Sequence, residues 1–303
     1  MRRALAVAVS ALVWVLAGCA DDPASPNAAQ ATSTSMAAAT ATESDATESG
    51  PPHLVNLGDS FSAAAGVQPL VAGSPVVCLR SSRNFAHVLA AAEGYRLTDV
   101  SCSGADTEDF ESAQYDGVPP QLDALTPDAD IVTVMIGGND NDLYSTAIRE
   151  CADLAAGDLA GSPCRDARGT HYIDIVEEQT APALVAAMAA VREKSPDAEV
   201  LVVGYPWILP PTGGCYPTMP VASGDVPYLR ELQSVLNAAG QQAAEQAGAR
   251  FVDMAQPSEG HDACAPVGQR WIEPRNGASG AAPIHPNVAG QQAIADEVAA
   301  ALQ

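Results

Sequence analysis

Basic residues are scarce in this chain. Lysine and arginine together number 14 against 37 aspartates and glutamates over 303 residues, giving a formal net charge of −23, and Lys194 is the one lysine. A surface that acidic repels nucleic acid and anionic lipid head groups, which argues against nucleic acid as a partner and a polyanionic polymer as substrate. The seven cysteines contain no C-x-x-C spacing, so a structural zinc site has no support. Asp140-Asn141-Asp142 is acidic enough for calcium but lacks the spacing and glycine of a calcium loop. No metal and no cofactor are expected. The G-x-S-x-G elbow of the α/β-hydrolases is missing as well. Aromatic residues make up only 5% of the chain, and no internal repeat is found in it.

The N-terminus is laid out as an export signal. Arg2 and Arg3 precede an apolar run, Ala4 to Leu16, that is about thirteen residues long and short for a membrane span. Residues 1–18 are read as a signal peptide that is removed. Leu16-Ala17-Gly18-Cys19 resembles the lipobox of bacterial lipoproteins, in which the cysteine receives a diacylglyceryl group and becomes the mature N-terminus. Cleavage after Ala20 is the alternative. From Asp22 to about Gly50 the chain is Ala, Ser, Thr, Pro and acidic residues, with too little apolar surface to offset the entropy of ordering. Residues 19–50 are therefore read as a lipid-attached flexible linker, with a root-mean-square span on the order of 30 Å. The expected location is extracytoplasmic, in the cell envelope or secreted.

Residues 51–303 read as one α/β domain. His53 to Leu57 is a buried first strand, Tyr95 to Ser101 a second, and Asp130 to Ile136 the clearest central strand, β-branched and unbroken until Gly137-Gly138. Glu199 to Val203 and Arg250 to Asp253 complete five. Helices are predicted over Asn84 to Glu93, closed by Gly94, over Asp174 to Lys194, over Tyr228 to Gln246, and from Val288 onward. Strands alternating with helices give a parallel sheet covered on both faces, with sites at the carboxyl ends of the strands.

Four short segments stand at such ends: Gly58-Asp59-Ser60, Ser103-Gly104, Gly137-Gly138-Asn139-Asp140 and Ile284-His285-Pro286-Asn287. They contain a hydroxyl nucleophile, a backbone N–H donor, an amide donor and a late histidine base, the parts that ester hydrolysis needs. Ser60 could equally be a turn or cap serine, Asn139-Asp140 a strand-ending turn, and Pro286-Asn287 the start of a helix. In order and separation the four segments resemble the GDSL-type, or SGNH, hydrolases, including the actinobacterial exported lipases and esterases. The resemblance implies a flavodoxin-like three-layer fold with a five-stranded parallel sheet. It also implies an acyl-enzyme on Ser60 with His285 as base, and an oxyanion hole built from Ser60, Gly104 and Asn139. Asp59 is read as a supporting or capping carboxylate.

One position departs from the commonest family pattern. Three residues before the histidine, where most members carry Asp, this chain has Ala282. Some exported actinobacterial relatives are similar and use a backbone carbonyl instead, so a Ser-His dyad is expected, with Asp262 as the alternative orienter. With Cys19 set aside, six cysteines remain in an exported chain, which favours three disulfides, and the sequence alone allows fifteen pairings. The resemblance implies the sequential set: Cys78 to Cys102, Cys151 to Cys164, Cys215 to Cys264. Phe61, Trp207 and Trp271 are candidates to line an acyl pocket. With few aromatics and no lid-like apolar helix, a monomeric esterase on short or medium acyl chains is preferred over a true lipase. A carbohydrate deacetylase and an inactive module binding acylated glycans or lipids are the competing readings.

Overall fold

The computed structural model describes residues 50–303. The signal-peptide and lipid-anchor assignments, Cys19 included, fall outside the described residues. Five strands form one parallel sheet: β1 (His53–Gly58), β2 (Arg96–Asp99), β3 (Ile131–Met135), β4 (Glu199–Val203) and β5 (Arg250–Val252), ordered β2-β1-β3-β4-β5. The inner strands are buried almost throughout, because a parallel sheet is covered on both faces and its strands read as continuous apolar runs. The edge strands β2 and β5 are short and partly exposed.

Helices α1 (Ser60–Ala63), α2 (Phe85–Glu93), α3 (Leu143–Ala155), α4 (Pro163–Arg168), α5 (His171–Ile175), α6 (Ala181–Lys194), α7 (Val226–Gln246) and α8 (Val288–Ala301) complete the described fold. Parallel crossovers are right-handed. The step from β1 out to β2 therefore puts α2 on one face, and the steps from β3 to β4 and from β4 to β5, in the opposite direction, put α6 and α7 on the other. α8 returns along α2, and α6 lies along α7. This is the three-layer arrangement the sequence predicts.

Local chemistry sets the helix ends. Asn84 accepts the His87 N–H at 3.0 Å to start α2, and Gly94 closes it at φ +73°. Asn287 starts α8 by accepting the N–H groups of Ala289 and Gly290. The sequence predicts one helix from Asp174 to Lys194; the chain instead turns helical at His171 and passes through a π turn, Val176–Thr180, before α6. Pro182 has no N–H to donate back into the preceding turn, which is where the ladder changes register. Neither α3 nor α4 is predicted. The buried face of α3, Leu143, Ala147, Ile148, Cys151 and Ala155, includes two alanines and a cysteine, which give a weak apolar period.

The three sequential disulfides form: Cys78–Cys102, Cys151–Cys164 and Cys215–Cys264, with Cα separations of 4.1, 4.9 and 5.4 Å. The first ties the loop after α1 to the Ser103-Gly104 loop. Closing a loop of 24 residues is worth about 3 to 4 kcal/mol in the chain-entropy model. Disulfides of this number fit an oxidising, extracytoplasmic compartment.

Chain direction along the sheet reverses between β1 and β3, and open parallel sheets bind ligands beyond the carboxyl ends of strands at such a point. Gly58 sits in register with Met135, so the segments following β1 and β3 are delivered side by side.

Candidate active site

Ser60 is placed by a turn that only glycine permits. Gly58 has φ +142°, and a Cβ there would lie 2.4 Å from the Met135 carbonyl oxygen. The Asp59 N–H donates to that same carbonyl at 3.0 Å, and Asp59 caps α1 by accepting the Phe61 N–H at 2.8 Å. Asp59 is thus the capping residue, and Ser60 is the first residue of α1. The Ser60 hydroxyl lies 2.7 Å from His285 Nε2 across 225 residues of chain.

His285 stands on a loop fixed from two sides. The Glu273 N–H donates to the His285 carbonyl and the Ile284 N–H to the Glu273 carbonyl, both at 2.9 Å, while the Ala282 N–H donates to Ala65 at 2.8 Å. Gly66 makes room for that last contact, since a Cβ on it would be 2.2 Å from Ala282 N. His285 Nδ1 lies 2.7 Å from the Pro283 carbonyl oxygen. A carbonyl can only accept, so the proton sits on Nδ1 and Nε2 is free to accept from Ser60. Ile284, between the two, is held at φ +65°, a region a β-branched residue enters only under strain of roughly 1 to 3 kcal/mol. Burial pushes the His285 imidazole below its ordinary value of 6.5, against the pull of the Pro283 carbonyl. Asp262 is not its partner. That carboxylate accepts the Cys264 N–H at 2.8 Å.

Asn139 follows β3, and its Nδ2 donates to the Ala105 carbonyl at 2.8 Å, leaving one amide hydrogen. Buried Asp140 accepts both the N–H and the hydroxyl of Thr107, at 3.0 and 2.8 Å, and burial pushes its carboxyl up to about 6. The loop carrying Gly104 is thereby tied to the loop carrying Asn139. Gly104 has φ +81° and is exposed. Among the described residues, the N–H groups of Ser60 and Gly104 donate to nothing. Gly104 does not line the cavity described below.

Tyr205, which the sequence motifs do not mark, joins the site. Its hydroxyl donates to Asp59 Oδ2 at 2.5 Å and accepts the Gly138 N–H at 3.0 Å, linking the segments before Ser60 and Asn139 through a residue after β4. Burial pushes the Asp59 carboxyl up to about 7, opposed by the donors Tyr205, Phe61 and Ser62.

Ser60, Asn139 and His285 open onto a cavity of about 380 Å³ whose apolar wall includes Phe61, Tyr144, Ile148 and Ile208. Phe61 packs against both the His285 ring and Tyr205, with centroids 5.1 and 5.2 Å away. Trp207 and Trp271 do not line it. Trp207 is buried beneath the Arg230 guanidinium, 3.8 Å from the ring centroid, and Trp271 stacks on His261 at 4.2 Å.

Similarity to known proteins points the same way. The GDSL-like lipase/acylhydrolase family matches residues 57–293. Lipase 2 of Streptomyces coelicolor is 44% identical over 301 residues, covering 98% of this chain and 95% of that protein. Phospholipase A1 from Streptomyces albidoflavus, a solved structure, superposes with a TM-score of 0.70 at 25% identity, over 82% of this chain and 99% of the other. The extracellular lipase of Streptomyces rimosus gives a TM-score of 0.69 at 24% identity over the same shares and supports the fold. With the family match covering most of the described residues, the chain belongs to the GDSL-like lipase/acylhydrolase family and is a carboxylic ester hydrolase.

Proposed function

We propose that the chain cleaves acyl esters through a covalent intermediate on Ser60. The observation that carries this reading is the 2.7 Å contact between Ser60 Oγ and His285 Nε2, with the opposite ring nitrogen occupied by the Pro283 carbonyl. Ser60 Oγ attacks the ester carbonyl carbon as its proton passes to His285 Nε2. Negative charge then develops on the carbonyl oxygen. The N–H groups of Ser60 and Gly104 and the remaining Asn139 amide hydrogen are the donors assigned to it. Collapse expels the alcohol, which takes the proton back from His285. Water, deprotonated by the same nitrogen, then releases the acid and restores Ser60.

The dyad reading makes Asp262 dispensable for chemistry. Asp262→Ala should cost about 1 kcal/mol of stability through the lost bond to Cys264 N–H, while kcat changes less than about threefold. A loss beyond 100-fold in a variant with a normal fold would return Asp262 to the mechanism.

The pH dependence follows from which form of His285 works. Neutral imidazole accepts the Ser60 proton, and burial lowers the pKa, so the base survives to more acidic pH than a free histidine. The acid limb of kcat/KM should lie below pH 6.5, and Asp59→Asn, which removes the raised carboxyl next to Ser60, should leave that limb in place. A limb above pH 6.5 would contradict the buried-base account.

The apolar wall and modest cavity volume favour short or medium acyl chains, and a series of 4-nitrophenyl esters from acetate to palmitate tests this by where kcat/KM peaks. Attachment to the membrane through lipid on Cys19 is part of the same proposal. Cys19→Ser should release active enzyme or leave uncleaved precursor, whereas a soluble native protein beginning at Asp21 would remove the anchor and leave the chemistry untouched.

A further inference from the structure

Two cations line the cavity that Ser60 opens onto: Arg149 on α3 and Arg275 on the loop after Glu273. Carboxylates outnumber basic residues 37 to 14 in this chain, so an arginine finds an acidic neighbour easily. Arg96 pairs with Asp128, Arg168 with Glu150, Arg230 with Glu259, Arg250 with Glu199 and Arg270 with Glu273. Among the described residues, Arg149 and Arg275 have no carboxylate at ion-pair distance, as is also true of Arg83 and Arg192, which do not line this cavity. Glu150, adjacent in sequence to Arg149, is taken by Arg168 and by the Tyr172 hydroxyl.

Both arginines line the same cavity. Arg275 is half-buried, and one of its guanidinium nitrogens donates to the Ile148 carbonyl at 3.3 Å, the residue next to Arg149. A guanidinium has five N–H donors in a fixed fork. That single bond leaves most of the Arg275 fork unused, and Arg149 donates to nothing among the described residues. Arg149 is exposed and Arg275 half-buried, and both line the cavity with donors to spare for an anion.

We propose that Arg149 and Arg275 form a subsite for an anionic oxyacid group, phosphate or carboxylate, carried by the ester substrate at a distance from the scissile bond. The inference rests on the ester-hydrolase reading and narrows its substrate class to amphipathic esters with an apolar chain and an anionic group. It also resolves a tension with the net charge. The acidic surface repels polyanions, but a substrate with one anionic group needs only one local cationic patch.

The test compares butyryl esters of three alcohols: ethylene glycol, 3-hydroxypropanoate, and the methyl phosphodiester of ethylene glycol. Wild-type kcat/KM should favour at least one anionic ester over the neutral one by about tenfold or more, and the favoured arm tells phosphate from carboxylate. In Arg149→Gln/Arg275→Gln that ratio should fall toward one, and Arg149→Glu alone, a change at an exposed position, should invert it. An unbiased wild type, or a double variant slowed equally on all three esters, would overturn the subsite. Binding of butyl phosphate to Ser60→Ala by calorimetry gives a readout free of turnover. Binding that weakens about tenfold or more with the double substitution supports the subsite even if no ester is cleaved, which would count against the hydrolytic reading alone. Binding indifferent to both arginines rejects the subsite whatever the activity.

Discussion

Ser60→Ala will abolish ester hydrolysis, lowering kcat by roughly 10⁴-fold or more, and His285→Ala will come close to it, because nucleophile and base act as one unit and their losses do not add. The fold should survive. The Ser60 hydroxyl makes its contact with His285, while the turn that presents it is held by the Asp59 N–H to Met135 and by the Asp59 cap on Phe61. Circular dichroism and a melting curve close to wild type would accompany the loss. Retention of more than a few per cent of wild-type turnover in Ser60→Ala would remove Ser60 as the nucleophile.

Asn139→Ala should lower kcat by roughly 10² to 10³ with little change in KM, since a donor aimed at the oxyanion is worth about 3 to 4 kcal/mol and acts in the transition state. The residue has a second task, because its amide also donates to the Ala105 carbonyl and helps hold the Gly104 loop. That loop remains fastened by Asp140 through Thr107 and by the Cys78–Cys102 disulfide. Loss of kcat is therefore expected without collapse of the loop. An effect confined to KM would mean that Asn139 only binds substrate.

Much of the fold is legible in the sequence, and particular residues show why. β4 runs from Glu199 to Val203 as read, and β3 differs by one residue at each end, because β-branched runs between glycines and acidic turns have no competing conformation. Asn84, Gly94 and Asn287 mark helix ends by side-chain or φ requirements that act locally. The meeting of Ser60, Asn139 and His285 at one cavity was readable for a related reason: in a parallel sheet the carboxyl ends of the strands lie along one edge, and these residues follow strands or precede a helix.

The features not legible in the sequence depend on contacts far apart along the chain. Tyr205 reaches Asp59 across 146 residues. The partner of His285 Nδ1 was expected to be some backbone carbonyl, but a main-chain atom has no letter, and only the turn at Ile284 singles out Pro283. α3 hides behind alanines, and with it the cavity wall of Tyr144 and Ile148 and the cation Arg149. Trp207 and Trp271 are large aromatics in loops after strands, yet Arg230 and His261 cover them, a pairing that sequence spacing does not reveal.

The central claim is that Ser60 is a nucleophile activated by His285, and covalent labelling with a fluorophosphonate tests it most directly. The account predicts one adduct per chain, mapped by peptide mass spectrometry to Ser60, absent from Ser60→Ala, and formed at a rate that falls on acidification through an ionisation below pH 6.5. An adduct on any other residue, or no adduct on folded protein that hydrolyses esters, would contradict it.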